Sequence, residues 1–70
     1  MWYEVIVETV EPLGPDPFKK RFEEVETNDP LEYVKSHCKY PIIEDDENQF
    51  GERVITCGDG KFTAKYTFSE

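Results

Sequence analysis

Hydrophobic and polar positions alternate most clearly over residues 53–68, RVITCGDGKFTAKYTF. Two alternating runs flank Asp59-Gly60, a pair suited to a two-residue type I′ turn because both turn positions need φ > 0. That turn predicts Gly58 opposite Lys61, Cys57 opposite Phe62, Ile55 opposite Ala64 and Arg53 opposite Tyr66. One face then carries Ile55, Cys57, Phe62, Ala64, Tyr66 and Phe68, and the other Val54, Thr56, Thr63, Lys65 and Thr67. This is the pattern of a half-buried hairpin.

Upstream, residues 2–11 (WYEVIVETVE) read as a central strand, because both faces carry apolar residues. Tyr3, Val5 and Val7 are assigned to the core. The other face, with Trp2, Ile6 and Val10, is interrupted by Glu4 and Glu8, which leaves Trp2 and Ile6 partly exposed. The run from Pro12 to Pro17 is a rigid loop, since its prolines fix φ and remove donors. Residues 18–27 return as a charged edge strand with Phe18 and Phe22 on one face. Val25 is out of phase with them, which predicts a bulge near Glu23-Glu24.

A helix follows. Asp29 is its N-cap, Pro30 its first residue, and Glu32 completes a capping-box pattern. Leu31, Val34 and Cys38 form its apolar stripe, flanked by Tyr33, His37 and Tyr40, and Pro41 stops it. Residues 41–52 read as a long connection, with Ile42 and Ile43 tucked under the helix and Glu44-Asp45-Asp46-Glu47 as its acidic centre.

The order strand, strand, helix, strand, strand predicts a single α+β domain over residues 1–70. Its sheet is four-stranded and mixed, in order 2-1-4-3, with the helix on one face. That layout resembles the β-grasp arrangement of the immunoglobulin-binding domain of streptococcal protein G. A likeness of element order implies a fold and no function.

Charge changes the picture more than length does. Acidic residues outnumber basic ones sixteen to eight, a net charge of −8 over 70 residues. This opposes direct contact with nucleic acid or an anionic membrane and favours a basic protein partner. No apolar run has the length of a membrane span or a signal peptide, so a cytoplasmic location is expected. Cys38 and Cys57 are read as free buried thiols, brought close enough by the packing of the helix over the Cys57 strand to bond under oxidation.

Chemistry offers little. His37 and Cys38 are helical neighbours pointing about 100° apart, so they cannot pair with each other. A Cys57–His37 dyad across the helix–sheet gap is conceivable, but a structural thiol beside a capping histidine is preferred. A metal site of Cys38, Cys57 and His37 lacks a fourth ligand and any C-x-x-C spacing. The acidic run fails as an EF-hand, because Phe50 and Cys57 fall at ligand positions. No enzyme, metal or cofactor is expected.

What remains is surface. Glu44, Asp45, Asp46 and Glu47, with Glu23, Glu24 and Glu26 on the charged edge, form the candidate partner-binding surface. Carboxylates at alternate strand positions imitate the spacing of a phosphate backbone. In general character the chain is similar to the small acidic inhibitors that bacteriophages direct at host proteins. The leading expectation is a non-enzymatic inhibitor or modulator, a nucleic-acid mimic in its sharpest form, that binds a protein with a basic surface. The alternative is an assembly module that self-associates, as a homodimer, through Trp2 and Ile6 unless Lys61 and Lys65 cover those residues while pairing with Glu4 and Glu8.

Overall fold

The computed structural model describes residues 1–70. Its elements in chain order are β1 (Trp2–Val10), β2 (Phe18–Glu26), α1 (Pro30–His37), β3 (Ile42–Glu47), β4 (Arg53–Gly58) and β5 (Thr63–Ser69). They build one sheet in the order β2-β1-β5-β4-β3, with every neighbouring pair antiparallel. The class is α+β, as expected, but there are five strands, and the β-grasp arrangement is not formed. No helix is long and apolar enough to cross a membrane.

The fifth strand is the acidic run itself. Asn48 turns the chain: its side-chain oxygen accepts from the backbone N–H groups of Phe50 (2.9 Å) and Glu52 (3.0 Å), and Gly51 takes φ 78°. The strand before it can therefore fold back onto β4. One extra strand reverses the direction of the last one. The central pair β1–β5 is antiparallel for that reason, not parallel as a four-stranded count requires. β2 and β3 run in the same direction on opposite edges, and α1 crosses the sheet between them.

The last hairpin is shifted by two residues from the two-residue turn. Gly58 pairs with Thr63, Cys57 with Ala64 and Ile55 with Tyr66. The Asp59 carboxylate accepts from the N–H groups of Lys61 (3.0 Å) and Phe62 (2.9 Å), and Gly60 takes φ 94°. Those backbone donors hold the Asp59 carboxyl below the usual range. A slip of two keeps every side chain on its face, so the hairpin's core residues survive the wrong register. Gly58 is required for close approach: a Cβ there would collide with the Phe62 carbonyl and crowd Ile43.

β2 does not bulge. It pairs with β1 without interruption from Trp2↔Glu26 to Val10↔Phe18. Val25 therefore takes the core side, and Phe18 and Phe22 point away from it. The irregularity lies instead in β3, between Ile42 and Glu44. Ile42 packs against the core, while Ile43 stays exposed above Gly58 and does not tuck under the helix.

The core lies on one face of the sheet only. Val5, Val7, Val25, Ile55, Cys57, Ala64, Tyr66 and Phe68 meet Val34 and Cys38. α1 starts as read: Asp29 accepts from the N–H groups of Leu31 (3.1 Å) and Glu32 (3.4 Å). The second half of the capping box falls to Thr27, whose hydroxyl accepts from the Asp29 N–H at 3.1 Å. The helix stops at His37, with Cys38 extended as its C-cap. Cys38 and Cys57 are joined in a disulfide that ties the end of the helix to β4. The expectation of free thiols is thereby corrected: two buried sulfurs meeting between helix and sheet form a covalent link.

Candidate interaction surface

The inner face has little left to offer a partner. Tyr33 of α1 packs edge-on against Tyr66 and Phe68, and its hydroxyl donates to Glu23 at 3.1 Å. Burial, reinforced by the Glu23 carboxylate, pushes the Tyr33 hydroxyl above its ordinary pKa; burial does the same to Tyr66. His37 stacks on Tyr33 with ring centroids 4.0 Å apart, and its Nδ1 lies 2.8 Å from the Tyr33 carbonyl. With both sulfurs bonded to each other, neither cysteine supplies a thiolate to His37 or to a metal. No group of three or more histidine, cysteine or acidic side chains is placed to hold a metal ion.

The outer face has no covering layer. Antiparallel register puts Trp2, Glu4, Ile6, Glu8 and Val10 of β1 there, opposite Glu26, Glu24, Phe22, Lys20 and Phe18 of β2. Beyond them come Ser69, Thr67, Lys65 and Thr63 of β5, then Val54 and Thr56 of β4, and finally Asp46 and Glu44 of β3. Trp2 is 62% exposed and Phe22 73%, with Phe18 and Val10 also exposed. Sheet faces this apolar on one ribbon and this uncovered are a mark of an interaction surface.

The predicted acidic surface is not one surface. Glu23, Glu24 and Glu26 lie on β2, and Glu44 to Glu47 on β3, at opposite edges of the sheet. Four inter-strand steps separate them, about 19 Å. Alternation divides each group again. Glu24, Glu26, Glu44 and Asp46 reach the outer face, whereas Glu23 and Asp45 turn to the helix side and are engaged there. Glu23 accepts from Arg21 at 2.7 Å as well as from Tyr33. Asp45 accepts from Nε and Nη2 of Arg53 at 2.9 and 2.7 Å, and those hydrogen bonds hold its carboxyl below the usual range.

The lysine cover imagined for Trp2 and Ile6 is also absent. Lys61 sits in the β4–β5 loop, and β5 ends opposite Glu4, short of Trp2. Lys65 stands opposite Glu8 but forms no ion pair with it, and Glu4 has none either.

Phe18 and Phe22 share one face of β2, as expected, but the bulge predicted near Glu23-Glu24 left unsettled which face that is. The signal was Val25: without a bulge, a buried Val25 sends both phenylalanines outward. No family model, curated protein or solved structure matches this chain.

Proposed function

We propose that this chain is a non-enzymatic binding module, an inhibitor or modulator, that docks through its outer sheet face onto a protein with a basic surface. The observation that carries this reading is the β1–β2 ribbon. Trp2, Ile6, Val10, Phe18 and Phe22 lie together on a face with no second layer, bordered by carboxylates that have no ion-pair partner. Apolar area supplies the affinity and the carboxylates select the sign of the partner. Mimicry of a continuous phosphate row is a weaker form of the reading, because the acidic residues sit on two separated edges.

Self-association is disfavoured by the same charges. Stacking two outer faces brings Glu4, Glu8, Glu24, Glu26, Glu44 and Asp46 of one copy against the same set, with only Lys20 and Lys65 to offset them. The disulfide weighs against the expected cytoplasmic location, because a bond of this kind suits an oxidising compartment.

The test is affinity capture with wild type, Trp2→Ala/Phe22→Ala, and Glu44→Gln/Asp46→Asn. Capture should be weakened by salt, lost in the aromatic variant and retained in the β3 variant. Equal capture by the aromatic variant would remove the outer face as the working surface. A wild-type dimer in sedimentation, firmer at high salt, would replace the module with an assembly role.

A further inference from the structure

Glu4 and Glu24 are directly opposite each other on β1 and β2, on the uncovered face. Like charges in that position destabilise a strand pair, and a sheet normally avoids them or places a cation between them. Here none is supplied. Lys20, the ribbon's one outward cation, lies over the Phe22 ring at 5.7 Å and stands opposite Glu8. Neither glutamate forms an ion pair. Shallow depressions open on both sides of the pair, one walled by Trp2 and the other by Ile6 and Phe22, and Glu4 and Glu24 line both.

We propose that the Glu4–Glu24 pair, set between Trp2 and Phe22, is the seat for an arginine side chain of the partner protein. The proposal rests on the outer-face reading above and names the chemistry of its occupant. Directly opposed residues have Cβ atoms about 5 Å apart, so both carboxylates reach one planar guanidinium. The same plane stacks on an exposed indole or phenyl ring, which a compact ammonium does less well. A second copy of this chain cannot fill the seat without losing ion pairs of its own. Its arginines are Arg21 and Arg53, engaged by Glu23 and Asp45. The occupant is therefore a different protein, one that presents arginine from an extended or flat basic surface.

The probe is a short capped peptide alternating arginine with threonine, beside its lysine and citrulline counterparts, titrated into isotope-labelled protein and followed by NMR. Shifts should centre on the Trp2 indole and the amides of Glu4, Phe22 and Glu24. The citrulline peptide should bind about tenfold more weakly or worse, because each charged hydrogen bond lost is worth that much. Glu4→Gln/Glu24→Gln should cause a loss of the same order, with an unchanged amide spectrum elsewhere and a thermal midpoint no lower than wild type. The arginine seat is overturned if that variant binds the arginine peptide as tightly as wild type, or if the shifts fall on Glu44 to Glu47. If capture of the natural partner nonetheless still needs Trp2 and Phe22, only the seat fails. If capture ignores them too, the outer-face reading fails with it.

Discussion

The two faces of this sheet are made by the same strands with the same alternation, yet they have opposite fates. On the inner face Ile55 is fully buried, and a helix, a disulfide and three aromatic residues packed edge-on close the layer. On the outer face Phe22, the same residue type as the buried Phe68, is 73% exposed. The difference is one of supply. A chain of 70 residues with a single eight-residue helix can cover one face of a five-stranded sheet and no more. The inner face thus carries stability, and the outer face is free to carry recognition. Substitutions should separate the two roles.

The largest effect should come from the link that closes the inner layer. Replacing Cys38 and Cys57 together by alanine should cost about 3 kcal/mol in urea unfolding, the value for a loop of this length. In wild type, a thiol reagent should label neither residue even in denaturant until a reductant is added. Labelling on unfolding alone would show that the bond is not formed.

Next comes the end of β4, where the chain turns into β5. Gly58→Ala must move the Phe62 carbonyl or open the β4–β5 hairpin, and should cost about 2 kcal/mol. A wild-type denaturation midpoint would mean that the hairpin takes a different register. Asp29→Ala should cost about 1 kcal/mol through the lost cap at the start of α1.

Smaller again is Asp45, on the helix side of β3. Its hydrogen bonds from Arg53 lower its folded pKa below the unfolded value. The pair's stabilisation is therefore complete above the unfolded aspartate pKa and is lost as pH falls through the folded one. Because the pair is partly exposed, Asp45→Asn should cost only a few tenths of a kcal/mol at neutral pH. Urea midpoints for the two proteins should converge in acid; parallel curves would place Arg53 elsewhere. Smallest of all, Phe22→Ala should change stability by less than about 0.5 kcal/mol. A loss comparable to a core truncation would show that something in the folded chain covers the outer face.

Several elements were legible because their causes are local. Asp29, Pro30 and Glu32 together with the Leu31/Val34 stripe mark a helix start, and period-two alternation sorts the residues of the last hairpin into two faces whatever its register. The charged β2 reads as an edge for similar reasons. The candidate site was legible only in part: the pattern leaves Trp2 and Ile6 partly exposed, but it does not reveal Phe22 or the uncompensated Glu4–Glu24 pair. Alternation states that two faces exist, but which face of β2 is inner depends on its pairing with β1. Val25 and Phe22 competed for that place with nothing local to decide between them.

By itself the sequence determined the helix start, the amphipathic faces of β1 and β5, and an excess of negative charge to be solvated. Only the tertiary structure decided that the acidic run is a strand. Asn48 and Gly51 permit a turn, but six residues of IIEDDE form a strand only because β4 offers its free edge. That added strand reversed β5 and paired it with β1. It also moved Glu44 to Glu47 to the edge opposite Glu24 and Glu26. Strand pairing is a contact between distant parts of the chain, and its energy is absent from any local stretch of residues.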